Sequence, residues 1–176
     1  MIGLCVVAAL LAGGCVGSAT QGYTRDTAPR AEAMSLLGTP LFAPAIPAAA
    51  SSLMERQLAA AREQYNRNPN DADAIIWLGR RLAYLGYYRE AIDVFGEGIA
   101  KHPDDARMYR HRGHRFITTR QIARAVADLE TAADLVRDRP DEVEPDGQPN
   151  RFNIPTSTLK SNIWYHLALA HYLRHD

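Results

Sequence analysis

The sequence predicts an all-α fold in which helical hairpins stack into a solenoid, and three observations support this prediction. Positions in the middle of the chain recur without a gap at one constant spacing, as Gly79 and Gly113 do (113 − 79 = 34). Apolar residues return every three or four positions within each unit, which is the period of one helix face. Proline and Asn-Asp or Asp-Asp pairs stand where one unit would end and the next begin. A period of about 34 residues is typical of stacked helix-turn-helix units.

The first full unit covers residues 72–105. Two runs of apolar residues keep helical spacing in it: Ile75, Leu78, Leu82 and Leu85, then Ile92, Phe95 and Ile99. Gly79 and Ala91 lie where the two helices would cross, because small side chains let the backbones approach. Asn70-Asp71 precedes the first helix and can cap its free N–H groups. Pro69 fits the turn before it, since proline cannot continue a helix.

The second unit covers residues 106–139 and follows a second capping pair, Asp104-Asp105. Arg112 takes the place that Leu78 has in the first unit, so an arginine stands at an apolar packing position. Upstream, residues 53–69 keep helical spacing and end in proline, which predicts the second helix of a half-repeat that covers the first full unit.

A long loop, residues 140–160, separates the second unit from a third one. It carries four prolines, and a loop of this length in a repeat array is often functional or disordered. Residues 161–176 are predicted to form the first helix of the third unit, with Ser157 or Thr158 as its cap. The apolar end of this helix leaves three explanations open: a truncated longer array, self-association through the uncapped helix, or a partner that completes the array.

These positions resemble the tetratricopeptide repeat (TPR) family, with its pattern W-x2-L-G-x2-Y, A-x3-F and P. The matching residues of the first unit are Leu78, Gly79, Leu82, Gly86, Tyr88, Ala91, Phe95 and Pro103. Those of the second are Tyr109, Gly113, Phe116, Ala125, Leu129 and Ala132, and those of the third are Trp164, Leu167 and Ala168. The resemblance implies about two full repeats with flanking half-repeats and a protein-binding function without catalysis.

The resemblance also implies that the first helix of each unit lines a concave groove. It selects Asp73, Ile76, Arg80 and Tyr84 from the first unit, Arg107, Arg110, His114 and Ile117 from the second, and Asn162, Tyr165, Leu169 and Tyr172 from the third. The groove is predicted to bind a protein or peptide segment, and eight of these residues are the candidate partner-binding set: Arg80, Tyr84, Arg107, Arg110, His114, Asn162, Tyr165 and Tyr172.

Charge is distributed unevenly along the chain, although 20 basic and 20 acidic residues balance and imply no nucleic-acid partner. Residues 106–127 hold six arginines, two histidines and no acid, whereas residues 138–146 hold five acids. Arginine suits bidentate recognition of carboxylates, so the groove is predicted to prefer acidic segments or a terminal carboxylate. Two other interpretations stay open: a solvated helix face, or neutralisation by the acidic loop (Asp141, Glu142, Glu144, Asp146) folding back.

The N-terminal segment, residues 1–15, is uncharged and apolar and reads as a secretory signal rather than a membrane span. Its end, Leu11-Ala12-Gly13-Gly14-Cys15, resembles a bacterial lipoprotein signal, which implies cleavage before a lipidated Cys15. An ordinary signal ending near Gly17-Ser18-Ala19 is the alternative. The lipoprotein interpretation predicts an exported protein of the cell envelope, in the outer membrane or facing the periplasm, whose membrane contact is the lipid anchor alone.

Residues 16–52 are rich in alanine and proline and are predicted to be a flexible tether, with a short recognition peptide around Leu36 to Ile46 as the alternative. No cofactor is expected and no catalytic motif occurs in the sequence. Two histidine pairs, His111 with His114 and His171 with His175, have spacings that can share a metal. They support the second hypothesis, a small-anion or metal-dependent binding protein or enzyme that uses the Arg/His cluster of the second repeat.

Overall fold

The computed structural model describes residues 30–144, 151–152, 154 and 156–175. Within these ranges the chain forms two short strands and six helices. They are β1 (Ala33–Met34), β2 (Pro40–Leu41), α1 (Ala48–Arg67), α2 (Ala72–Tyr84), α3 (Tyr88–Lys101), α4 (Ala106–Thr118), α5 (Ile122–Val136) and α6 (Leu159–Arg174). The predicted signal segment, with Cys15, lies outside the described residues. No helix among those described is both long and apolar enough to cross a bilayer.

The repeat period of the sequence is also the period of the helices. α4 begins one period after α2, at Ala106 against Ala72, and α5 begins one period after α3, at Ile122 against Tyr88. Side chains at matching positions are buried in both units, as Phe95 and Leu129 are. Each hairpin therefore repeats the packing of the one before it.

Side-chain caps define where three helices begin. Asp71 accepts a hydrogen bond from the backbone N–H of Ala74 at α2, and Asp105 accepts one from Arg107 at α4. Thr158 caps α6 in a reciprocal capping box with Ser161. The caps predicted at Asp71, Asp105 and Thr158 are thus confirmed, and each satisfies donors that a helix start leaves open.

Consecutive helices pack against one another along the array and enclose two apolar clusters. One cluster is built mainly by α1, α2 and α3 and includes Ile75 and Phe95, with Met108 of α4 closing it. The other lies between α4, α5 and α6, with Phe116 and Ile163 among its buried residues. Burial of such faces supplies most of the stability of a repeat array, because each hairpin alone would leave its apolar side in water.

Glycine sets the close approach of the two helices in each hairpin. A methyl group at Gly79 would lie 2.5 Å from the ring of Phe95, and one at Gly113 would lie 2.8 Å from Leu129. Since no side chain fits these distances, the helix crossing predicted at Gly79 is confirmed. Phe95 and Leu129, on the second helix of each hairpin, pack directly against the backbone of the first helix.

Arg112, which replaces Leu78 in the second unit, is accommodated by an ion pair across the hairpin. Its Nε and Nη2 both donate to the carboxylate of Asp128 at 2.8 Å. Asp128 lies one repeat period after Val94, so both members of an apolar pair are replaced together by a charged pair. The buried Asp128 therefore has its charge neutralised inside the hairpin.

Residues 30–47, part of the predicted tether, lie against the turn between α2 and α3. Arg89 Nη2 donates to the carbonyl oxygen of Ala31 at 3.3 Å, and its Nε lies 3.8 Å from a Glu32 carboxylate oxygen. Gly86 has a φ of +83°, and a methyl group on it would lie 2.5 Å from Cβ of Ala43. α1 begins at Ala48, five residues before the predicted position 53 (53 − 48 = 5). The tethering role of this segment stays a prediction.

Candidate functional site

The first helices of the three units, α2, α4 and α6, form a row along the inner face of the array. α4 touches α2 on one side and α6 on the other. This arrangement brings the predicted groove positions of different units onto one surface. Ile76 and Ile117, two of those positions, are buried in it rather than exposed.

A carboxylate from the long loop occupies the centre of this face. Glu144 accepts a hydrogen bond from Arg110 Nη2 through Oε1 and one from Asn162 Nδ2 through Oε2, the latter at 2.7 Å. The acidic loop thus folds back onto Arg110 of α4. Neutralisation by this loop was one of the two other interpretations that the sequence left open.

Backbone hydrogen bonds at the base of the loop hold Glu144 in this place. Val143 and Thr158 form an antiparallel bridge. The N–H of Glu144 donates to the carbonyl oxygen of Ser157 at 2.9 Å, and the N–H of Leu159 donates to that of Glu142 at 2.9 Å. Since Thr158 also caps α6, the position of Glu144 and the start of α6 are coupled.

Arg110 is the most buried arginine of the inner face, with 7% of its surface exposed. Its Nη1 lies 3.4 Å from Nδ1 of His111, and its Nε is buried with no hydrogen-bond partner within the described residues. Desolvation lowers the pKa of Arg110, while the charge of Glu144 raises it. Burial lowers the pKa of His111 well below the usual value, and its ring stacks on Phe95 at 5.3 Å. The neutral imidazole can therefore accept a hydrogen bond from Arg110.

Three further basic side chains lie beside Arg110. Burial lowers the pKa of His114 to about 2, and it also lowers the pKa values of Arg115 and His166. The rings of His114 and His166 lie 4.2 Å apart, and Arg115 lies over the ring of Tyr88 at 5.5 Å. We name Arg110, His111, His114, Arg115 and His166 the Arg–His cluster. Within the described residues, the charge of Glu144 opposes this lowering and raises the pKa values of Arg110 and His166.

Arg80 and Tyr84 of α2 form the neighbouring part of the inner face. Arg80 Nη2 donates to the hydroxyl oxygen of Tyr84 at 2.8 Å, and the guanidinium lies 4.6 Å from the ring centre of Trp77. The charge of Arg80 also lowers the pKa of Arg110. The two predicted residues of the first unit thus lie within electrostatic reach of the second.

Arg107 is turned away from the Arg–His cluster toward two aspartates. It donates to Asp73 at 2.7 Å and to Asp105 at 2.6 Å, and the hydrogen bond to Asp105 raises its pKa. It borders a cavity of about 690 Å³ whose lining carries both signs of charge, Lys101 and Glu142 among them. Within the candidate set, Arg107 therefore lies where acids already surround it.

The third unit presents aromatic side chains to solvent. Tyr165 is 66% exposed and lies edge-on to His166 at 5.2 Å, whereas Tyr172 is 76% exposed two helical turns further along α6. Trp164 is exposed as well. Exposed tyrosines offer apolar area with a polar tip, which suits contact with a peptide.

Three of the four histidines that the sequence singled out have other partners in the structure. His111 stacks on Phe95, while His114 faces His166 of α6. His171 lies 4.0 Å from a carboxylate oxygen of Glu130. In the part of the chain that the structure describes, no three His, Cys, Asp or Glu side chains form a metal-binding group.

The structure thus brings together Arg110, His114, Asn162 and Tyr165 and places Arg107 and Tyr172 to either side. The sequence analysis missed Arg115 and His166 as members of the cluster. His166 is one turn after Asn162, and its ring nitrogen Nδ1 lies 2.6 Å from the carbonyl oxygen of Asn162. The available signal was this spacing, since residues four apart share a helix face.

Comparison with protein-family models and with curated proteins finds no match for this chain. Comparison with solved structures finds the type III secretion translocator chaperone SycD of Yersinia enterocolitica, at 16% identity and a TM-score of 0.56, with 73% of this chain and 79% of that chain covered. A SycD structure in complex with a peptide of the translocator YopD matches at 17% identity and a TM-score of 0.55, over 73% of this chain and 86% of that one.

A third SycD structure, described as an alternative dimer, matches at 17% identity and a TM-score of 0.56 over 73% of this chain and 86% of that chain. Identities this low show the fold alone. Together with the six described helices, they confirm the predicted fold class: this chain is an all-α, TPR-like helical-hairpin protein.

Proposed function

We propose that this protein is a non-catalytic scaffold that binds an extended, acidic segment of a partner protein on its inner face. The observation that carries the proposal is the Arg–His cluster, in which two guanidinium groups, Arg110 and Arg115, are desolvated and Glu144 pairs with Arg110. Burying a cation is costly unless an anion accompanies it. A ligand with carboxylates would supply the missing negative charge.

Two further observations support a peptide as the ligand. Tyr84 and Tyr165 flank the cluster on α2 and α6 and are exposed, so they can contact the apolar parts of a bound chain. In addition, SycD, which shares the fold, has been crystallised with a peptide of the translocator YopD. The inner face of a helical repeat array is an extended surface of the kind that such chains bind.

Fluorescence anisotropy with defined peptides tests this function. The probes are a labelled peptide of alternating glutamate and alanine and a matched peptide with glutamine in place of glutamate. We expect the full chain to bind the acidic peptide more tightly, with an affinity that falls as salt is added. Equal affinity for the two peptides would contradict the proposal.

A pair of arginine variants locates the site. Arg110→Gln removes a buried guanidinium of the cluster, whereas Arg137→Gln removes an exposed one that pairs with Asp134 on the outer helix α5. We expect Arg110→Gln to weaken binding of the acidic peptide, by less than the full value of a charge-assisted hydrogen bond because Arg110 already pairs with Glu144 in the free protein. Arg137→Gln is expected to bind like the unchanged protein. Equal losses in both variants would place binding elsewhere.

We also propose that the protein acts in the bacterial cell envelope, anchored by a lipid on Cys15 with residues 16–52 as the connection to the repeats. The apolar segment that ends at Cys15 supports this proposal. Metabolic labelling with a radioactive fatty acid is expected to mark the unchanged protein and to leave Cys15→Ser unmarked. Absence of label from the mature protein would contradict lipidation.

Self-association through α6 is a further part of the proposal. Trp164 and Tyr165 expose their rings on the last described helix, and one SycD structure is described as a dimer. Light scattering at increasing concentration is expected to show a dimer that Trp164→Gln weakens. A protein that remains monomeric at all concentrations would contradict this.

A further inference from the structure

A salt bridge between the loop and the inner face has the form of a ligand contact made by the chain itself. Glu144 presents both carboxylate oxygens, one to a guanidinium and one to an amide. Each partner comes from a different groove helix, Arg110 from α4 and Asn162 from α6. Donors on two different helices fix the position of a carboxylate as well as pairing with its charge, so such a site recognises geometry and charge together.

Charge and burial around Arg110 favour an anion at the position that the Glu144 carboxylate occupies. Arg110 keeps a buried Nε without a partner in the described part of the chain. The charges of Arg80 on α2 and of Arg115 on α4 act on the same place. Without the Glu144 carboxylate, Arg110 would be a buried cation with no counter-charge nearby, so the place stays unfavourable until a carboxylate enters it.

The way in which Glu144 is held makes its replacement feasible. Glu144 lies on the loop, not on a helix. Its backbone N–H donates to the carbonyl oxygen of Ser157, and the nearby Glu142 carbonyl oxygen accepts from the N–H of Leu159, so the loop is tied to the base of α6. Its side chain can therefore leave Arg110 without unfolding either helix. The two apolar clusters do not include Glu144, so they remain intact when it leaves.

We propose that Arg110 and Asn162 form a carboxylate-binding site whose resident occupant is Glu144, and that an acidic side chain of the bound segment replaces Glu144 there. This inference rests on the function proposed above. It assigns the specificity of peptide binding to Arg110 and Asn162, and it assigns to Glu144 the role of an intramolecular competitor. The loop lowers the affinity for weakly acidic segments and so restricts binding to ligands whose carboxylate competes with Glu144. On binding, the Arg110 salt bridge is exchanged rather than newly formed.

The test compares Glu144→Gln with Glu142→Gln in the full-length protein. Both variants remove one negative charge from the same loop, but only the Glu144 side chain contacts Arg110. The probes are the glutamate–alanine peptide with an amidated C-terminus and the glutamine–alanine peptide with a free C-terminus. The first offers side-chain carboxylates alone, and the second offers a terminal carboxylate alone.

We expect Glu144→Gln to bind the amidated glutamate–alanine peptide about tenfold more tightly than the unchanged protein. This factor corresponds to one charge-assisted hydrogen bond, which the peptide can form with Arg110 without first displacing a carboxylate. Glu142→Gln is expected to change affinity far less. A gain seen only with the free C-terminus would assign the site to a terminal carboxylate and overturn the side-chain form of the inference.

Other outcomes separate this inference from the proposed function. If the unchanged protein prefers the acidic peptide but Glu144→Gln binds it equally or more weakly, Glu144 is not a competitor, and the function stands without the inference. If neither protein prefers the acidic peptide, the proposed function and this inference are both wrong.

Should Glu144→Gln lose its helical circular-dichroism signal, Glu144→Asp keeps the charge on a shorter side chain and is expected to give a smaller gain in affinity.

Hydrogen exchange gives a second measure that does not depend on a variant. The amide of Glu144 is hydrogen-bonded to Ser157 at 2.9 Å. If the bound peptide replaces the Glu144 side chain, the loop loses its contact with Arg110 while its backbone hydrogen bonds remain, so we expect exchange of residues 141–144 in the complex with the acidic peptide to stay equal or become faster. Slower exchange there would show that the loop closes on the ligand instead and would overturn the inference.

Discussion

At the scale of single residues, the Arg112–Asp128 pair shows how one repeat departs from another without losing the fold. Leu78 and Val94 occupy the matching places in the first unit, where Leu78 is buried in an apolar cluster and Val94, partly buried, packs against it. The second unit replaces both with opposite charges that form two hydrogen bonds at 2.8 Å. An apolar pair and a well-paired ion pair can fill the same space at similar net stability.

A double-mutant cycle tests this exchange. We expect Asp128→Val to lower the free energy of unfolding by about 2 kcal/mol, because it leaves the guanidinium of Arg112 without its partner in a mostly buried place. Arg112→Leu with Asp128→Val restores the residues of the first unit and is expected to recover most of that loss. Urea denaturation measures all variants, and additive losses in the double variant would contradict the coupling.

The turn between the two helices of each hairpin provides a second comparison of matching residues. Gly86 and Arg120 are one repeat period apart, and both have a left-handed backbone, with φ of +83° and +60°. Glycine adopts this conformation freely, whereas a side chain makes it unfavourable by roughly 1–2 kcal/mol. At Gly86 the close approach of Ala43 is a second reason for glycine. At Arg120 the turn keeps some strain.

We therefore expect Arg120→Gly to raise the melting temperature slightly, through a gain of about 0.5 kcal/mol, since the relief of strain exceeds the added entropy of an unfolded glycine. Arg120→Ala removes the same side chain but keeps Cβ, so it serves as the control and is expected to show no such gain. A lower melting temperature for Arg120→Gly would mean that its side chain stabilises the turn.

At the scale of elements, α6 is the helix on which the candidate site most depends. It carries Asn162, His166 and Tyr165, and it follows the long loop rather than a short turn. Its start is held by the capping box of Thr158 with Ser161 and by the Val143–Thr158 bridge. The cap therefore contributes both to the helix and to the position of the loop that carries Glu144.

Loss of the Thr158 cap is expected to loosen the start of α6, and with it the candidate site, while the packing of the first hairpin stays unchanged. We expect Thr158→Ala to destabilise α6 by about 1 kcal/mol and to speed hydrogen exchange in residues 159–162, while exchange in α2 and α3 stays unchanged. Thr156→Ala, two residues before the cap, is the matched control. Equal exchange in both variants would show that packing against α5 alone holds the start of α6.

At the scale of the whole molecule, the buried histidines make stability depend on pH. Desolvation lowers the pKa of His111 well below the usual value and that of His114 to about 2, with Arg110 and Arg115 acting in the same direction. In the unfolded chain both rings take up a proton below about pH 6.5. The unfolded state therefore binds more protons in acid, and stability is lost as the pH falls below that value.

We expect the free energy of unfolding of the unchanged protein to fall between pH 7 and pH 5. In His114→Gln the fall should be smaller by about 1–2 kcal/mol, because one ring that charges only in the unfolded state is gone. Urea denaturation at the two pH values measures it, with His175→Asn at the exposed end of α6 as a control variant. An identical pH dependence would mean that His114 protonates in the folded protein.

Local signals in the sequence were sufficient for the helices and their order, because the repeat period, the caps and the glycines at crossings act over a few residues or over one unit. Helical spacing also placed Arg110 and His114 on one face of α4, whereas Asn162 was selected by the resemblance to the repeat family. These are short-range properties of the chain, and the structure shows the same positions in the helices.

Tertiary structure alone decided which of those residues meet. Arg107 turns to Asp73 and Asp105, Arg110 to Glu144, and His114 to His166, and these choices depend on the distance and rotation between helices. The burial that lowers the pKa values of the histidines likewise arises only when α4 is covered on both sides. Helix spacing and desolvation are properties of the packed array, so the sequence predicted a groove, and packing determined its charge and its resident carboxylate.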